Sequence, residues 1–162
     1  MLIHPAAPVG DVHDFDFLAG TWNVLNRRLK RRWCGSDDWD VFPGTHRFEK
    51  HLDGIANVDE LRCPERGFSG MSIRAFDRAQ HRWAISWISS EQGVMFPPVY
   101  GGFSGVRGEF YGTDIDEGVP VEVRFVWTRR DPDNVRWEQA FSRDGRTWET
   151  NWIMEFTREP TS

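Results

Sequence analysis

From residue 20 onward the chain repeats one pattern. Short runs of alternating apolar and polar residues are broken about every 10–15 positions by Gly, Pro, Asp or Asn. No stretch keeps apolar residues at i, i+3, i+4 and i+7 across three turns, so no long helix is expected. The pattern predicts strands at 20–32, 39–51, 56–62, 69–77, 82–90, 99–105, 107–113, 119–130, 134–143 and 147–158. Ten successive strands with short connections describe an all-β, up-and-down antiparallel barrel, because closure removes the exposed edges of a meander. Residues 1–12, rich in Pro, Ala and Gly, read as a loose lead-in, and 13–162 as one domain. Within His13-Asp14-Phe15-Asp16-Phe17-Leu18, Asp14 is expected to cap one short helical turn whose Phe15, Phe17 and Leu18 plug one barrel end.

Alternation also assigns faces. Asp144-Gly145 predicts a two-residue hairpin turn. That register pairs Phe141 with Trp148, Gln139 with Thr150, Trp137 with Trp152 and Val135 with Met154, all on the interior face with Phe156. Val121, Val123, Phe125 and Trp127 continue that face. In the hairpin before them, Ser72, Arg74 and Phe76 share the interior with Trp83, Ile85 and Trp87, which carries Arg74 inside. The period of two groups Trp22, Val24, Asn26 and Arg28 as inward, His46 with Phe48, and Asn57 with Asp59. Phe96-Pro97-Pro98-Val99, followed by Tyr100, reads as a stiff apolar loop: a lid at the barrel mouth, a contact between subunits, or an ordinary connection. The glycine-rich stretch 102–112 reads as bulges and tight corners, since its spacing does not suit a nucleotide loop.

Composition narrows the interior. Aromatics make up 14% of the 162 residues, including nine Trp and twelve Phe, enough to line a barrel with rings. The formal charge of −5 has no charged tail behind it and carries no nucleic-acid footprint. The basic run Arg27-Arg28-Leu29-Lys30-Arg31-Arg32 reads as a solvated strand, with contact to an anionic ligand as the alternative. No apolar run approaches the roughly 20 residues of a membrane helix, and Met1–Gly10 lacks a signal-peptide pattern, so a cytoplasmic location is expected. There Cys34 and Cys63 are expected as free thiols, a disulfide between them being the alternative.

Phe17-Leu18-Ala19-Gly20-Thr21-Trp22 resembles the entrance to the first strand of the calycin superfamily, whose G-x-W lays its Trp across the barrel floor. The chain over about 13–158 is also similar to a bacterial lipocalin-like family of unassigned function. The matching stretches are 13–18, Asn57-Val58-Asp59-Glu60, Trp137-Glu138-Gln139-Ala140-Phe141-Ser142 and Thr147-Trp148-Glu149-Thr150-Asn151-Trp152. The resemblance implies a barrel that holds small hydrophobic molecules. Relatives of the nitrobindin type bind haem through a histidine late in the chain. Here the histidines are His4, His13, His46, His51 and His81, a departure from that pattern, and no cofactor is expected.

Candidate chemistry lies in inward polar residues. The chain has no G-x-S-x-G, P-loop, G-x-G-x-x-G or H-E-x-x-H, and no strand supplies a convincing pair of metal ligands. An inward Arg28 or Arg74 must meet a carboxylate, water or an anionic ligand, and Asp59 is one candidate partner. The candidate ligand-facing set is Trp22, Asn26, Arg28, Asn57, Arg74, Trp83, Trp87, Tyr100, Trp137, Gln139 and Trp152. His46 is the candidate general base, with Asp59 or Glu60 to orient it, and His51 and His81 read as turn or surface residues. The leading expectation is a binding protein for a small hydrophobic or aromatic molecule. The alternatives are an isomerase, cyclase or lyase on the same barrel, and a homodimeric interaction protein with a filled core. Neither nucleic acid nor membrane is expected as a partner.

Overall fold

The alternation resolves into ten strands in the computed structural model, which describes residues 4–160, so 1–3 and 161–162 of the expected spans lie outside it. The strands are β1 (Gly20–Leu29), β2 (Trp39–His51), β3 (Ala56–Cys63), β4 (Phe68–Asp77), β5 (Arg82–Ser89), β6 (Val99–Ser104), β7 (Arg107–Asp116), β8 (Val119–Asp131), β9 (Asn134–Ser142) and β10 (Glu149–Arg158). Each pairs antiparallel with the next, and β10 returns to pair with β1, closing the barrel. No helix among the described residues is long and apolar enough to cross a membrane.

The floor is built by the lead-in and both barrel termini. A 3-10 turn, Asp16–Leu18, sits under the strands, with Phe15 and Leu18 buried. Phe15 meets Trp83, Phe103, Phe110 and Trp127 edge-on or tilted at 5.2–6.1 Å. Asp14 is not the cap expected for this turn. Its carboxylate accepts instead from Asp11 N (2.9 Å) and Phe103 N (3.1 Å), which pins the plug to β6. Trp22 donates through Nε1 to Leu18 O (3.0 Å), and Arg158 stacks on its ring at 4.1 Å. Arg158 also donates to Ala19 O (2.7 Å) and Phe17 O (2.8 Å), so the last strand holds the plug in place.

Strands β1 to β5 pair without a register shift. Their parity is therefore continuous, and Trp22, Asn26, His46, Asn57, Asp59 and Arg74 are all buried. The 83–87 face is interior, with Arg74 opposite Ile85 and Ser72 opposite Trp87. Strand β1 ends at Leu29, three residues short of the expected limit, because Trp33 turns the chain with φ 64°. The cysteines are free, Cys34 exposed and Cys63 buried. His51 and His81 are exposed.

The last hairpin differs from expectation. Asp144 does not supply a two-residue turn. Its Oδ1 accepts from Arg146 N (2.8 Å) and Thr147 N (2.7 Å), closing a wider loop from the side chain. Phe141 then faces Glu149, and an irregularity between Thr150 and Trp152 restores the parity beyond it. Met154, not Trp152, lies opposite Trp137. Thr150 and Trp148 leave the interior face, and Trp148 packs against Tyr111 and Arg124 instead.

The glycines of 102–112 serve close approach more than bulging. A Cβ on Gly102 would lie 2.4 Å from Gly10 Cα, one on Gly108 2.6 Å from the Phe103 ring, and one on Gly112 2.6 Å from Pro98 O. Gly105, at φ 60°, turns the β6–β7 hairpin.

A Cβ on Gly101 would stand 1.9 Å from Glu109 O across the same hairpin. Gly101→Ala must therefore push β6 from β7, and a loss of about 2–3 kcal/mol is expected as a lowered urea midpoint.

Candidate functional site

Four buried polar residues converge on the inner wall: β2 turns His46 toward the axis, β3 turns Asn57 and Asp59, and β4 turns Arg74. Arg74 donates from NH1 to Asn57 Oδ1 (3.0 Å) and from NH2 to Asp59 Oδ2 (2.6 Å). Ser72 N donates to Asp59 Oδ1 (3.0 Å). His46 Nε2 lies 2.9 Å from Asp59 Oδ2, yet the ring N–H is not aimed at that oxygen, and neither nitrogen of His46 makes a hydrogen bond among the described residues. The contact is therefore a close approach rather than an aligned hydrogen bond. Burial pushes the Asp59 carboxyl up, but the guanidinium of Arg74 with its hydrogen bond, and the adjacent His46, more than reverse this, holding it well below the usual carboxylate range. Arg74 is flanked by the rings of Phe15 (4.8 Å) and Trp127 (5.8 Å), and His46 meets Phe156 edge-on at 5.0 Å.

Above this network is a chamber of about 40 Å³, lined by His46, Asp59 and Arg74 below and by Trp87, Trp137, Gln139 and Trp152 around it. That is room for a few waters or the polar end of a ligand. Four further nitrogens have no partner in the network: Arg74 Nε, Trp127 Nε1 and both His46 nitrogens are buried without a hydrogen-bond partner among the described residues. Trp137 and Trp152 meet edge-on at 5.7 Å, and Trp87 and Trp152 at 5.9 Å. A Cβ on Gly70 would fall 2.0 Å from the Trp87 ring, so only glycine leaves room for Trp87 in this position. No sequence motif marks Gly70.

The chamber continues into a vestibule of about 320 Å³, sharing Ile85, Trp87, Phe125, Gln139 and Trp152 with it. Two straps frame its mouth. The β1–β2 connection is fastened by Arg32, which grips Asp116 with two hydrogen bonds (2.9 and 2.6 Å), and by Trp33 Nε1 donating to Asp116 (2.8 Å). The 90–98 connection is held by an Ile88–Met95 bridge and by Phe96 N donating to Trp87 O (2.8 Å). It lies over the weakest seam, where β5 and β6 pair through only Trp83–Ile85. Phe96 and Pro97 line the vestibule, which places this segment at the mouth.

The structure thus gathers Arg28, His46, Asp59, Arg74, Trp87, Trp137, Gln139 and Trp152 around one continuous space. Five other sequence candidates stand outside its lining. Trp22 and Trp83 are floor residues, Trp83 donating to Asp11 O (2.9 Å). Asn57 is occupied by Arg74. Asn26 accepts from Trp152 Nε1 (3.0 Å) and donates to Phe42 O (3.3 Å), so it orients Trp152 without reaching the space. Tyr100 faces the outer side of the sheet, beneath Arg82 at 4.1 Å. Glu60, the alternative orienting carboxylate, pairs with Arg62 on the outer face and not with His46. Alternation puts Trp127 on the interior face without marking it as a site residue; the expected register of the last hairpin turns Asn151 outward, whereas the irregularity there brings it to the vestibule, and nothing in the sequence marks Gly70. No group of three His, Cys, Asp or Glu among the described residues is arranged to hold a metal ion.

No family model matches the chain, and no curated protein matches it. Among solved structures it is similar to a redesigned beta barrel, at 11% identity over 93% of this chain and 99% of that one, with a TM-score of 0.48.

Asp59→Asn leaves Arg74 charged and buried without its counter-ion, and a loss of about 3–5 kcal/mol is expected in urea unfolding at neutral pH. The Asp59 carboxyl is held below its ordinary 3.8 in the folded chain. Its stabilisation is therefore complete above that value and is lost as pH falls through the folded value. Wild-type stability should decline below about pH 4, and the decline should be shallower in Asp59→Asn.

Proposed function

We propose that the barrel binds a small aromatic molecule that carries a polar group at its leading end. The observation that carries this reading is the set of unpartnered buried nitrogens, on His46, Arg74 and Trp127, at the bottom of a tryptophan-walled space open through a vestibule. Each buried polar group left without a partner costs about 1–3 kcal/mol, and a ligand hydroxyl or carbonyl reaching them offsets that cost. Arg74 Nε and Trp127 Nε1 are donors and ask for an acceptor. His46, with Nε2 turned to Asp59, leaves Nδ1 to accept from a ligand O–H or N–H. The small chamber suits the polar end, and the larger vestibule suits the ring. The meander and the Trp22 floor support a calycin-like assignment for this barrel.

One observation favours a second reading, an isomerase, cyclase or lyase. The His46–Asp59 contact places a titratable base beside a carboxylate in a water-poor chamber. In that case His46→Gln removes turnover and leaves affinity largely in place.

Calorimetric titration with 2-naphthol and with naphthalene tests the binding reading. The expected result is tighter binding of 2-naphthol, a loss of about tenfold for 2-naphthol alone in His46→Phe, and a loss for both probes in Trp152→Leu. If neither probe binds, and native mass spectrometry of the gently purified protein shows no non-covalent adduct, the barrel is a filled core and the reading fails.

A further inference from the structure

At the other end of the space stands an arginine with no hydrogen bond. Arg28 projects into the vestibule with its guanidinium held against Phe68 (4.8 Å), Trp152 (5.4 Å) and Phe42 (5.5 Å). Among the described residues it makes no hydrogen bond, and its one ion contact is Glu91 Oε1 at 3.7 Å, beyond hydrogen-bond reach. Arg32, the other cation of the vestibule, is consumed by Asp116. Of the remaining carboxylates there, Asp114 accepts from Ile115 N (2.8 Å).

A second donor lies beside Arg28. Trp152 is the cross-strand partner of Arg28, and Asn151 is the residue skipped by the β9–β10 register. The irregularity turns Asn151 toward the vestibule, where it is only 4% exposed. Its Oδ1 accepts from Gln139 Nε2 (2.8 Å), but its Nδ2 has no partner among the described residues. A fork of donors fixed by three rings and a buried amide N–H thus belong to residues lining one space, and neither makes a hydrogen bond among the described residues. Glu91, on the 90–98 strap, is the nearest carboxylate and falls short of both roles.

We propose that Arg28 and Asn151 form a subsite for the carboxylate of the ligand, and that Glu91 is the weak internal surrogate it displaces. This rests on the reading that the barrel binds an aromatic molecule, and it makes that molecule an aryl carboxylic acid with its carboxylate toward the mouth and a hydroxyl or carbonyl toward His46. A carboxylate matches the planar guanidinium with two parallel hydrogen bonds and leaves an oxygen lone pair for Asn151 Nδ2. The aromatic body lies against the wall that Trp87 and Trp152 form together. Because Glu91 belongs to the strap, exchange of Glu91 for the ligand couples occupancy to the strap over the β5–β6 seam.

Calorimetric titration with 6-hydroxy-2-naphthoate and its uncharged amide is the test. The expected wild-type result is acid binding about tenfold tighter than amide. Arg28→Met, which keeps an apolar stem among the rings, should reduce the acid to the level of the amide and leave the amide unchanged. Arg28→Lys, which keeps charge and loses the fork, should fall between them. Glu91→Gln should tighten the acid about threefold and leave the amide alone. Equal binding of acid and amide by the wild type, or an equal effect of Glu91→Gln on both, overturns the carboxylate subsite while leaving the aromatic-ligand reading standing. Binding of neither overturns both.

Discussion

Closure of β10 on β1 is the constraint on which the rest of this structure depends. Ten strands closed in this way leave no open edge. The seam is fastened at the floor by Arg158, which stacks on Trp22 and reaches the carbonyls of Phe17 and Ala19. One side chain thereby joins the last strand, the first strand and the plug. Once the ring is closed and plugged at the floor, inward polar groups at that end are cut off from bulk water and depend on partners inside.

That demand explains the Asn57–Asp59–Arg74 network. An arginine enclosed among Phe15 and Trp127 is tolerated only because Asp59 supplies the opposite charge and Asn57 takes a second N–H. Ser72 N and the nearby His46 complete the surroundings of Asp59. The pairing is complete for the carboxylate and incomplete for its neighbours, since His46, Arg74 Nε and Trp127 Nε1 retain hydrogen-bonding capacity. Structure and candidate chemistry are therefore divided within one cluster: Asp59 and Asn57 hold Arg74, and the unpaired groups belong to residues that line the chamber.

The two ends of the barrel follow different rules. The floor is packed with rings in edge-on contact and leaves little space. The mouth is spanned by connections held by a few side chains, above the shortest pairing in the sheet. The space narrows from vestibule to chamber and has aromatic residues in its walls throughout. Gly70 and Asn26 set that space indirectly, Gly70 by making room for Trp87 and Asn26 by holding the indole N–H of Trp152.

Most of the architecture was legible in the sequence because strand side chains alternate with a period of two and the turns are marked by Gly, Pro and Asp. The order of ten strands, the interior face of 83–87 and the burial of Arg74 all follow from that period. The local misreadings occur where a side chain replaces backbone logic. Asp144 closes its loop through its carboxylate, the ladder skips Asn151, and Asp14 turns from the plug to β6. Tertiary structure alone decided which inward polar groups reach the space and which are consumed in building it. Asn26 and Asn57 share the parity of His46 and Asp59, and nothing along the chain separates them. The separation comes from height along the barrel axis and from partners distant in sequence, such as Trp152 for Asn26 and Arg74 for Asn57. Period-two alternation encodes which face a side chain takes, whereas stagger between strands sets which side chains meet, and that is a property of the closed ring.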